Sequence, residues 1–565
     1  MSAAAQAPPR FPPVGPTEAP VDASLGSVPS AAPQEPAAPS PAAEVVLEVR
    51  DLRTFFFTYE GVVKALDGVS FQLRRGETTG LVGETGCGKS VTALSITRLV
   101  ADPPGRIFHG QVLLRGADLL RGLETEAKYK PVRRSLRVRV RRRFYRIRRA
   151  NARMEAVRGR HIAMIFQEPS QALNPVFSIA NQVSEIVLLH HGAEVIDAML
   201  AATPDAPGVA PAVAKLLELP EAEATEAHRR ATAELAEAAH SPSLGTEAYY
   251  IVRGSGSSAN KKRHLEEALA RRRLRPLQRR YLRYRRGLLG LTARLHDAYL
   301  AELRLPPTPS RGQLPPPGPP APEKPAGRAR GTEFSLKSRL RVAELAHFYY
   351  GLPGLLRWVR RPLDDELLWR VVRLLEGVRI ANPVQVARGY PHELSGGMIQ
   401  RVMIAMALSG EPEVLLADEP TTALDVTIQA QILQLLDELR HRVGTAILLI
   451  THDLGVIAEV ADRVCVMYAG RVVEEGPVRE VFRTPLHPYT QGLLGSVPRV
   501  DKPEKELRSI QGSVPDLIEP PTGCRFHPRC PQAMPVCQGK TPPWTLEGPE
   551  HRVACYLYHG TRVVG

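Results

Sequence analysis

The feature that most constrains the fold of this 565-residue chain is a glycine-rich loop, GETGCGKS, at residues 83–90. The apolar segment GLV before the loop predicts a short buried strand, and the segment after it has helical spacing. Glycines at such a turn allow successive backbone amide protons to point at one anion, and the N-terminus of the helix attracts negative charge. The loop is therefore predicted to hold nucleotide phosphates, and a chance glycine-rich turn is the weaker interpretation.

Individual side chains of this loop have separate predicted tasks. Lys89 supplies a mobile positive charge for the outer phosphates, and the hydroxyl of Ser90 completes the coordination of a magnesium ion. The nucleotide-binding residues predicted here are Gly83, Glu84, Thr85, Gly86, Cys87, Gly88, Lys89, Ser90 and Val91.

Two other polar clusters follow apolar segments that read as buried strands. The segment VLLA at residues 414–417 leads into Asp418, which is placed to hold magnesium, and Glu419, which is placed to polarise a water molecule. After AILLI at residues 446–450 comes His452, which can contact a phosphate during transfer. Phosphoryl transfer depends on such positioned charges. Taken alone, the acidic pair is weak evidence, and a lone histidine is more often an ordinary residue at a strand end.

The strongest pattern is the order of these motifs around a third one, LSGGMIQR, at residues 394–401. The phosphate loop, this segment and LLADEP at residues 415–420 together resemble the ATP-binding subunits of ABC transporters. The resemblance implies an α/β fold with a RecA-like core, an antiparallel β subdomain and a helical subdomain. It also implies that two such subunits close head to tail, so that each signature serves the ATP held by the other subunit.

The resemblance assigns roles to residues of the quoted motifs. Tyr59 would stack on adenine, with Phe57 close by in the same aromatic stretch. The remaining roles are catalytic for Gln167, Glu419 and His452, magnesium binding for Ser90, Gln167 and Asp418, signature contacts for Leu394, Ser395, Gly396, Gly397 and Gln400, and the D-loop for Asp425.

A narrower resemblance covers the end of the chain. HPYTQGLLGSVPRV at residues 487–500, GSVPDL at 512–517 and GCRFHPRCP at 523–531 resemble the C-terminal region of the dipeptide, oligopeptide and nickel importer subfamily. This resemblance implies an ATP-hydrolysing motor for peptide uptake at the cytoplasmic face of a prokaryotic membrane. Its implied partners are a second ATPase subunit, identical or homologous, two membrane-spanning permease subunits and an extracytoplasmic substrate-binding protein.

Four of the six cysteines, Cys524, Cys530, Cys537 and Cys555, fall within 32 residues of this region. Disulfides are disfavoured in the reducing compartment of such an ATPase. The spacing leaves an iron-sulfur cluster, a structural zinc ion and unligated thiols open, because it lacks tight CxxC pairs. Resemblance to the importer subfamily implies a [4Fe-4S] cluster, with zinc as the alternative. The other two cysteines, Cys87 and Cys465, are predicted to fill space in the core.

Composition divides the chain into segments. No apolar run approaches the ~18 residues that span a bilayer, and residues 1–44, rich in Ala, Pro and Ser, are predicted to form a disordered tail. The predicted boundaries are 45–168 for the first part of the ATPase core with an Arg-rich insertion at 125–160, 169–390 for the helical subdomain with a large insertion at about 193–364, 391–485 for the second part of the core, and 486–565 for the C-terminal extension.

The basic residues concentrate in the two insertions, although the whole chain has a net charge of +15. The run at residues 135–149 is predicted to be a helix that lies on anionic lipid or on acidic loops of a membrane partner, with one face formed by Leu136, Val140, Phe144 and Ile147. A second basic helix, starting near Pro276, is predicted to pack locally through a stripe of Leu274, Leu277, Tyr281, Tyr284, Leu288, Leu291, Leu295 and Tyr299.

The arginines keep one other function open, a soluble DNA- or ribosome-associated ABC ATPase. The C-terminal resemblance opposes it, so nucleic acid is not an expected partner. The second basic helix belongs to an insertion at residues 254–332 that ends in a proline-rich linker at residues 305–332. This insertion is expected to be dispensable for ATP chemistry but relevant to docking or anchoring.

Overall fold

The computed structural model describes residues 44–131, 138–219, 224–254, 257–305, 353–421, 425–496 and 510–559. Its strands are β1 (Val45–Phe57), β2 (Val62–Arg74), β3 (Thr78–Val82), β4 (Gly105–Leu114), β5 (Ala117–Asp118), β6 (Ala127–Pro131), β7 (Val138–Arg142), β8 (Ile162–Ile165), β9 (Val414–Asp418), β10 (Ala446–Ile450), β11 (Arg463–Tyr468), β12 (Arg471–Pro477), β13 (Thr545–Leu546) and β14 (Arg552–Val553).

The centre of the fold is a sheet with the strand order β13-β14-β12-β11-β3-β10-β9-β8. Strands β11, β3, β10, β9 and β8 run parallel to one another. Every residue of β3, β9 and β10 is buried, as expected for parallel strands that are covered on both faces. The polar residues that follow these strands therefore meet at one edge of the sheet.

The two faces of this sheet belong to different cores. Leu416 and Leu448 pack with the antiparallel sheet β2-β1-β4-β5, whereas Leu415 and Leu449 pack into a larger core with the helices. Alternate residues of each strand point to opposite faces, which explains why the segments are apolar throughout.

The helices are α1 (Lys89–Ile96), α2 (Phe144–Val157), α3 (Pro169–Ala172), α4 (Ile179–Ala201), α5 (Val209–Glu218), α6 (Ala224–Ala238), α7 (Pro242–Arg253), α8 (Ser258–Arg272), α9 (Pro276–Glu302), α10 (Pro353–Gly377), α11 (Pro383–Arg388), α12 (Gly396–Leu408), α13 (Val426–Val443), α14 (Leu454–Val460), α15 (Val478–Arg483), α16 (Pro488–Gly495) and α17 (Val536–Gly539). Helices α5 to α8 pack around a small core of their own, and α7 also contacts α10. Among the described residues, no helix has the length and apolar character needed to cross a membrane.

The second basic helix is α9, and it begins at Pro276 as predicted. It packs against α2, α4 and α10, which supports local packing of its stripe. Tyr281 and Leu282 enter the helix-lined core, and Tyr299 and Leu300 enter the core of the antiparallel sheet. The expectation that the insertion is dispensable is therefore wrong, because apolar side chains of α9 complete two cores of the fold.

The Arg-rich run at residues 135–149 is not one helix. Residues 138–142 form strand β7, which pairs antiparallel with β6, and α2 begins only at Phe144. The segment VRVRR alternates valine and arginine with the two-residue period of a strand, and valine favours strands. Phe144 is 70% exposed. Leu136 lies outside the described residues, as do residues 1–43 of the predicted tail and residues 306–332 of the linker.

The burial of α9 predicts a difference between two leucines of the same helix. Leu300 is 0% exposed and Leu277 is 54% exposed. Leu300→Ala should lower the free energy of unfolding of the full chain by about 2–5 kcal/mol, because it leaves a cavity in a closed core. Leu277→Ala should change it by less than about 0.5 kcal/mol. Chemical denaturation measures both, and equal effects would contradict the assignment of α9 to the core.

Candidate functional site

The phosphate loop connects the end of β3 to the start of α1, as the motif predicts. Two of its glycines, Gly83 and Gly88, are required by their surroundings. A Cβ on Gly83 would lie 2.1 Å from the carbonyl oxygen of Met467, and one on Gly88 would lie 2.6 Å from that of Ala65. Gly88 also has a φ of +106°, in the left-handed region that disfavours other residues. The backbone thus passes through a space that no side chain fits.

Lys89 is buried and folds back over this loop. Its Nζ donates to the carbonyl oxygens of Gly83 at 2.7 Å and Glu84 at 3.1 Å. The side chain of Cys87 is fully buried, as predicted for a space-filling residue, and so is that of Cys465. A buried ammonium group at the centre of the loop suits the outer phosphates of a nucleotide.

Ser90 and Asp418 meet beside the loop. The hydroxyl of Ser90 donates to Oδ1 of Asp418 at 3.1 Å. Burial, together with the charge of Glu419, raises the pKa of Asp418 to about 6, against the lowering effects of Ser90 and Lys89. A buried carboxylate whose charge is poorly compensated favours a nearby cation. Hydroxyl and carboxylate oxygens are ligands that magnesium prefers, so this pair fits the predicted metal.

Glu419 lies between the other two predicted catalytic residues. Its Oε2 accepts from Nε2 of Gln167 at 3.2 Å, and its Oε1 lies 3.2 Å from Nδ1 of His452. These three residues follow β8, β9 and β10, so neighbouring parallel strands deliver them to one place. The arrangement can orient a water molecule against a phosphate.

The backbone of Glu419 is itself unusual. Its φ is +47°, which a residue with a side chain seldom adopts, and its amide donates to the carbonyl oxygen of Ile450 at 2.9 Å. Such strain is often retained where a side chain must be held in one orientation. The motif LLADEP contains no local pattern that predicts this backbone conformation.

The signature residues lie at the start of α12. The hydroxyl of Ser395 caps this helix by accepting from the amide of Met398 at 3.4 Å, and Gly396 and Gly397 form its first turn. Nε2 of Gln400 donates to the carbonyl oxygen of Pro420 at 2.7 Å, which ties the signature to the segment after Glu419. Leu394 precedes the cap and is partly buried against the helix-lined core.

Asp425 of the predicted D-loop caps α13. Its carboxylate accepts from the amide of Ile428 at 2.9 Å. Residues 422–424, in the middle of that loop, lie outside the described ranges.

The aromatic residues between positions 55 and 59 differ in ring contacts and in solvent exposure. Phe55 stacks on Phe108, with the ring centroids 5.4 Å apart. Tyr59 lies in the turn between β1 and β2 and is 97% exposed, and Phe57 is half exposed. Tyr59 is therefore the ring most open to a stacked base, in keeping with its predicted role.

Sequence reasoning missed two residues that contact the phosphate loop. The guanidinium of Arg529 binds both carboxylate oxygens of Glu84, and the hydroxyl of Tyr489 accepts from the amide of the same residue. Both lie in the quoted C-terminal segments, but more than 400 positions separate them from the loop. The only sequence signal was their presence in those segments.

The four C-terminal cysteines line one pocket. The amide of Cys524 donates to the carbonyl oxygen of Cys537 at 2.8 Å, and Cys530 and Cys555 border the same pocket beside Phe526. Burial raises the pKa of Cys524, and the charges of Cys537 and Cys530 add to this rise. In the part of the chain that the structure describes, no three Cys, His, Asp or Glu side chains are arranged as a metal site.

Comparisons with known proteins agree with this geometry. The family model for ABC transporters matches residues 66–285 and 330–422, and the model described as oligopeptide/dipeptide transporter, C-terminal region, matches residues 473–537. A probable peptide ABC transporter ATP-binding protein of Sinorhizobium fredii is 33% identical over 92% of this chain and 96% of its own length.

Two other relatives are similar over most of their length. The dipeptide transport ATP-binding protein DppD of Bacillus subtilis is 31% identical over 91% of this chain and 95% of its own. The oligopeptide transport ATP-binding protein OppD of Salmonella typhimurium is 31% identical over 92% of this chain and 95% of its own. The chain has the α/β cassette fold with a helical and a β subdomain, and it belongs to the ATP-binding proteins of ABC transporters.

Proposed function

We propose that this chain is the ATP-hydrolysing motor subunit of a binding-protein-dependent importer of dipeptides or oligopeptides. The observation that carries the proposal is the convergence of Lys89, Ser90, Asp418, Glu419 and His452 at one edge of the parallel sheet. The peptide assignment is supported by the C-terminal family match at residues 473–537 and by relatives described as dipeptide and oligopeptide transport proteins.

The chemistry assigned to the site is hydrolysis of the terminal phosphate bond of ATP. Ser90, Asp418 and Gln167 would hold a magnesium ion, which would neutralise charge on the phosphates. Lys89 binds the outer phosphates, and Glu419 orients or deprotonates the attacking water. His452 contacts the transferring phosphate and, through its 3.2 Å contact with Glu419, also helps to hold that carboxylate.

The proposed assembly contains two ATPase subunits. The capped N-terminus of α12, with Leu394, Ser395, Gly396, Gly397 and Gln400, would face ATP bound by the second subunit, where helix-end amides favour the phosphates. Two permease subunits would provide the path through the membrane, and an extracytoplasmic protein would deliver the peptide. The chain would then lie at the cytoplasmic face of a prokaryotic membrane.

The alternative as a nucleic-acid-associated ATPase is not favoured. Arginines of the insertions are engaged within the chain, including Arg286 with Asp197 at 2.8 Å and Arg272 with Glu247 at 2.6 Å. Arginines paired with carboxylates contribute little to binding of phosphate backbones. Tyr281 and Tyr299 of the α9 stripe are also buried within the chain.

We also propose a [4Fe-4S] cluster at Cys524, Cys530, Cys537 and Cys555, with a structural role and with zinc as the alternative occupant. The support is the common pocket that the four thiols line and the rise in thiol pKa that their mutual proximity adds to burial. Metal binding to thiolates would relieve that repulsion and fasten a proline-rich segment.

The role of Glu419 predicts the effect of removing its charge. Glu419→Gln should slow ATP hydrolysis by the assembled complex by about 10²- to 10⁴-fold, because the amide orients water poorly and accepts no proton, while ATP binding persists. The matched control is Glu438→Gln, a half-exposed residue paired with Arg379, which should leave turnover unchanged. Near-normal turnover of Glu419→Gln, measured by phosphate release, would remove this residue from its role.

Lys89→Ala removes the positive charge from the phosphate loop but leaves the glycine turn intact. ATP affinity should fall by about 10-fold or more, because charged hydrogen bonds are lost, and peptide uptake by reconstituted vesicles should fall with it. Lys215→Ala is the control, since Lys215 pairs with Glu234 on an exposed surface. Unchanged ATP binding by Lys89→Ala would contradict the assignment of the loop, and absence of peptide uptake by the intact assembly would contradict the substrate.

The cluster has a direct spectroscopic test. Protein prepared without oxygen should be brown and hold about four irons per chain, as a [4Fe-4S] centre requires. Cys530→Ser should lower the iron content and bleach the colour, whereas Cys465→Ala, in a strand of the core, should retain both. Stoichiometric zinc without iron would contradict the cluster and show that the four cysteines bind zinc.

A further inference from the structure

We propose that Arg529 and Tyr489 are positioning residues for ATP binding: they hold the phosphate loop in its binding shape through Glu84, so that the C-terminal extension sets the affinity for nucleotide. The inference rests on the proposed function, since it concerns the same loop. It adds a task to an extension that supplies no residue to phosphoryl transfer.

The first contact is a bidentate ion pair. Nη1 and Nη2 of Arg529 donate to the two carboxylate oxygens of Glu84 at 2.7 and 3.0 Å. The arginine side chain is only 7% exposed. Its Nε also donates to the carbonyl oxygen of Gln511 at 3.0 Å, and its guanidinium lies 5.7 Å from the ring centroid of Tyr468. A guanidinium fixed on several sides and screened from water holds its partner far more firmly than a surface pair does.

The second contact reaches the backbone of the loop. The amide of Glu84 donates to the hydroxyl of Tyr489 at 2.9 Å. Tyr489 is fully buried, and its ring packs against Tyr468 and Phe526 with centroids 4.6 and 5.4 Å away. The hydroxyl therefore has little freedom to move, and it fixes an amide one residue after Gly83.

Glu84 is consequently held at three of its groups. Arg529 binds its side chain, Tyr489 binds its amide, and Nζ of Lys89 donates to its carbonyl oxygen at 3.1 Å. Lys89 is the residue assigned to the outer phosphates. The extension thus acts on the same residue that the phosphate-binding lysine contacts.

The extension also contacts strand β2, which follows the turn that contains Tyr59. The amide of Lys64 donates to the carbonyl oxygen of Leu517 at 2.9 Å. A Cβ on Gly61 would lie 2.6 Å from Cγ2 of Ile518, so these two segments of the chain approach closely just beyond Tyr59. Residues from separate parts of the extension therefore contact the chain at both ends of the proposed nucleotide site.

These contacts matter because a glycine-rich loop has many accessible backbone conformations. Fixing it before ATP arrives removes an ordering cost from binding. The contacts do not touch Glu419 or the water that it orients. Their loss should therefore raise KM for ATP and leave kcat nearly unchanged, which is the signature of an interaction made equally in the ground and transition states.

The test measures kcat and KM for ATP in the assembled transporter. Arg529→Ala should raise KM by about 10-fold with kcat within about twofold, and Arg529→Lys should lie between it and the native protein, because lysine keeps the charge without the bidentate geometry. The matched control is Arg552→Ala, a substitution in the same extension. It removes a 2.5 Å ion pair with Glu475 of β12, away from the loop. If Arg529→Ala and Arg552→Ala have the same effect, the proposal is overturned.

Two further variants guard against a general loss of stability. Tyr489→Phe keeps the buried ring and removes the oxygen that accepts from the amide of Glu84, so it should also raise KM selectively. The double variant Arg529→Ala with Glu84→Gln should raise KM for ATP little more than either substitution alone, because both substitutions remove the same interaction. Additive effects on KM, or an unchanged KM in Tyr489→Phe, would overturn the proposal.

Lys89→Ala, measured in the same assay, distinguishes failure of the positioning role from failure of the proposed function. If it weakens ATP binding while Arg529→Ala behaves like Arg552→Ala, only the positioning role fails. If Lys89→Ala leaves ATP binding unchanged, the loop is not the nucleotide site, and both the proposed function and the positioning role fail.

Discussion

The arrangement of the site depends on the burial of a parallel sheet on both faces. Since β3, β9 and β10 are covered throughout, polar groups are accommodated only where these strands end. The register pairs Ile450 with both Leu81 and Asp418, so the ends of three strands lie side by side. The phosphate loop, the acidic pair and His452 are neighbours for this reason.

Local patterns were sufficient to predict this part of the molecule. The three apolar segments became strands, the loop after β3 has the predicted form, and Asp418 lies beside Ser90. Such motifs are readable because a turn, a helix start and a buried strand each impose their own residue choice over a few positions. The role of Gln167 followed from family resemblance, and its hydrogen bond to Glu419 was not predicted. The left-handed backbone of Glu419 is set by the fold around it and has no local signature.

The predictions that failed have two different causes. A helix was expected across residues 135–149, but valines at every second position favoured strand β7 instead. Helix α9 was placed correctly at Pro276, yet its sequence did not reveal that Tyr299 and Leu300 fill the core of the antiparallel sheet. A periodic stripe identifies an apolar face but not its partner.

The C-terminal segment is part of the central sheet. Strand β14 pairs with β12 through Val553 opposite Glu474, and β13 pairs with β14 at the outer edge. During synthesis, the ribosome must therefore pass residue 553 before that sheet has its last strands. A nascent chain released earlier, for example at residue 486, would carry every ATPase motif and still lack Tyr489 and Arg529 at the phosphate loop.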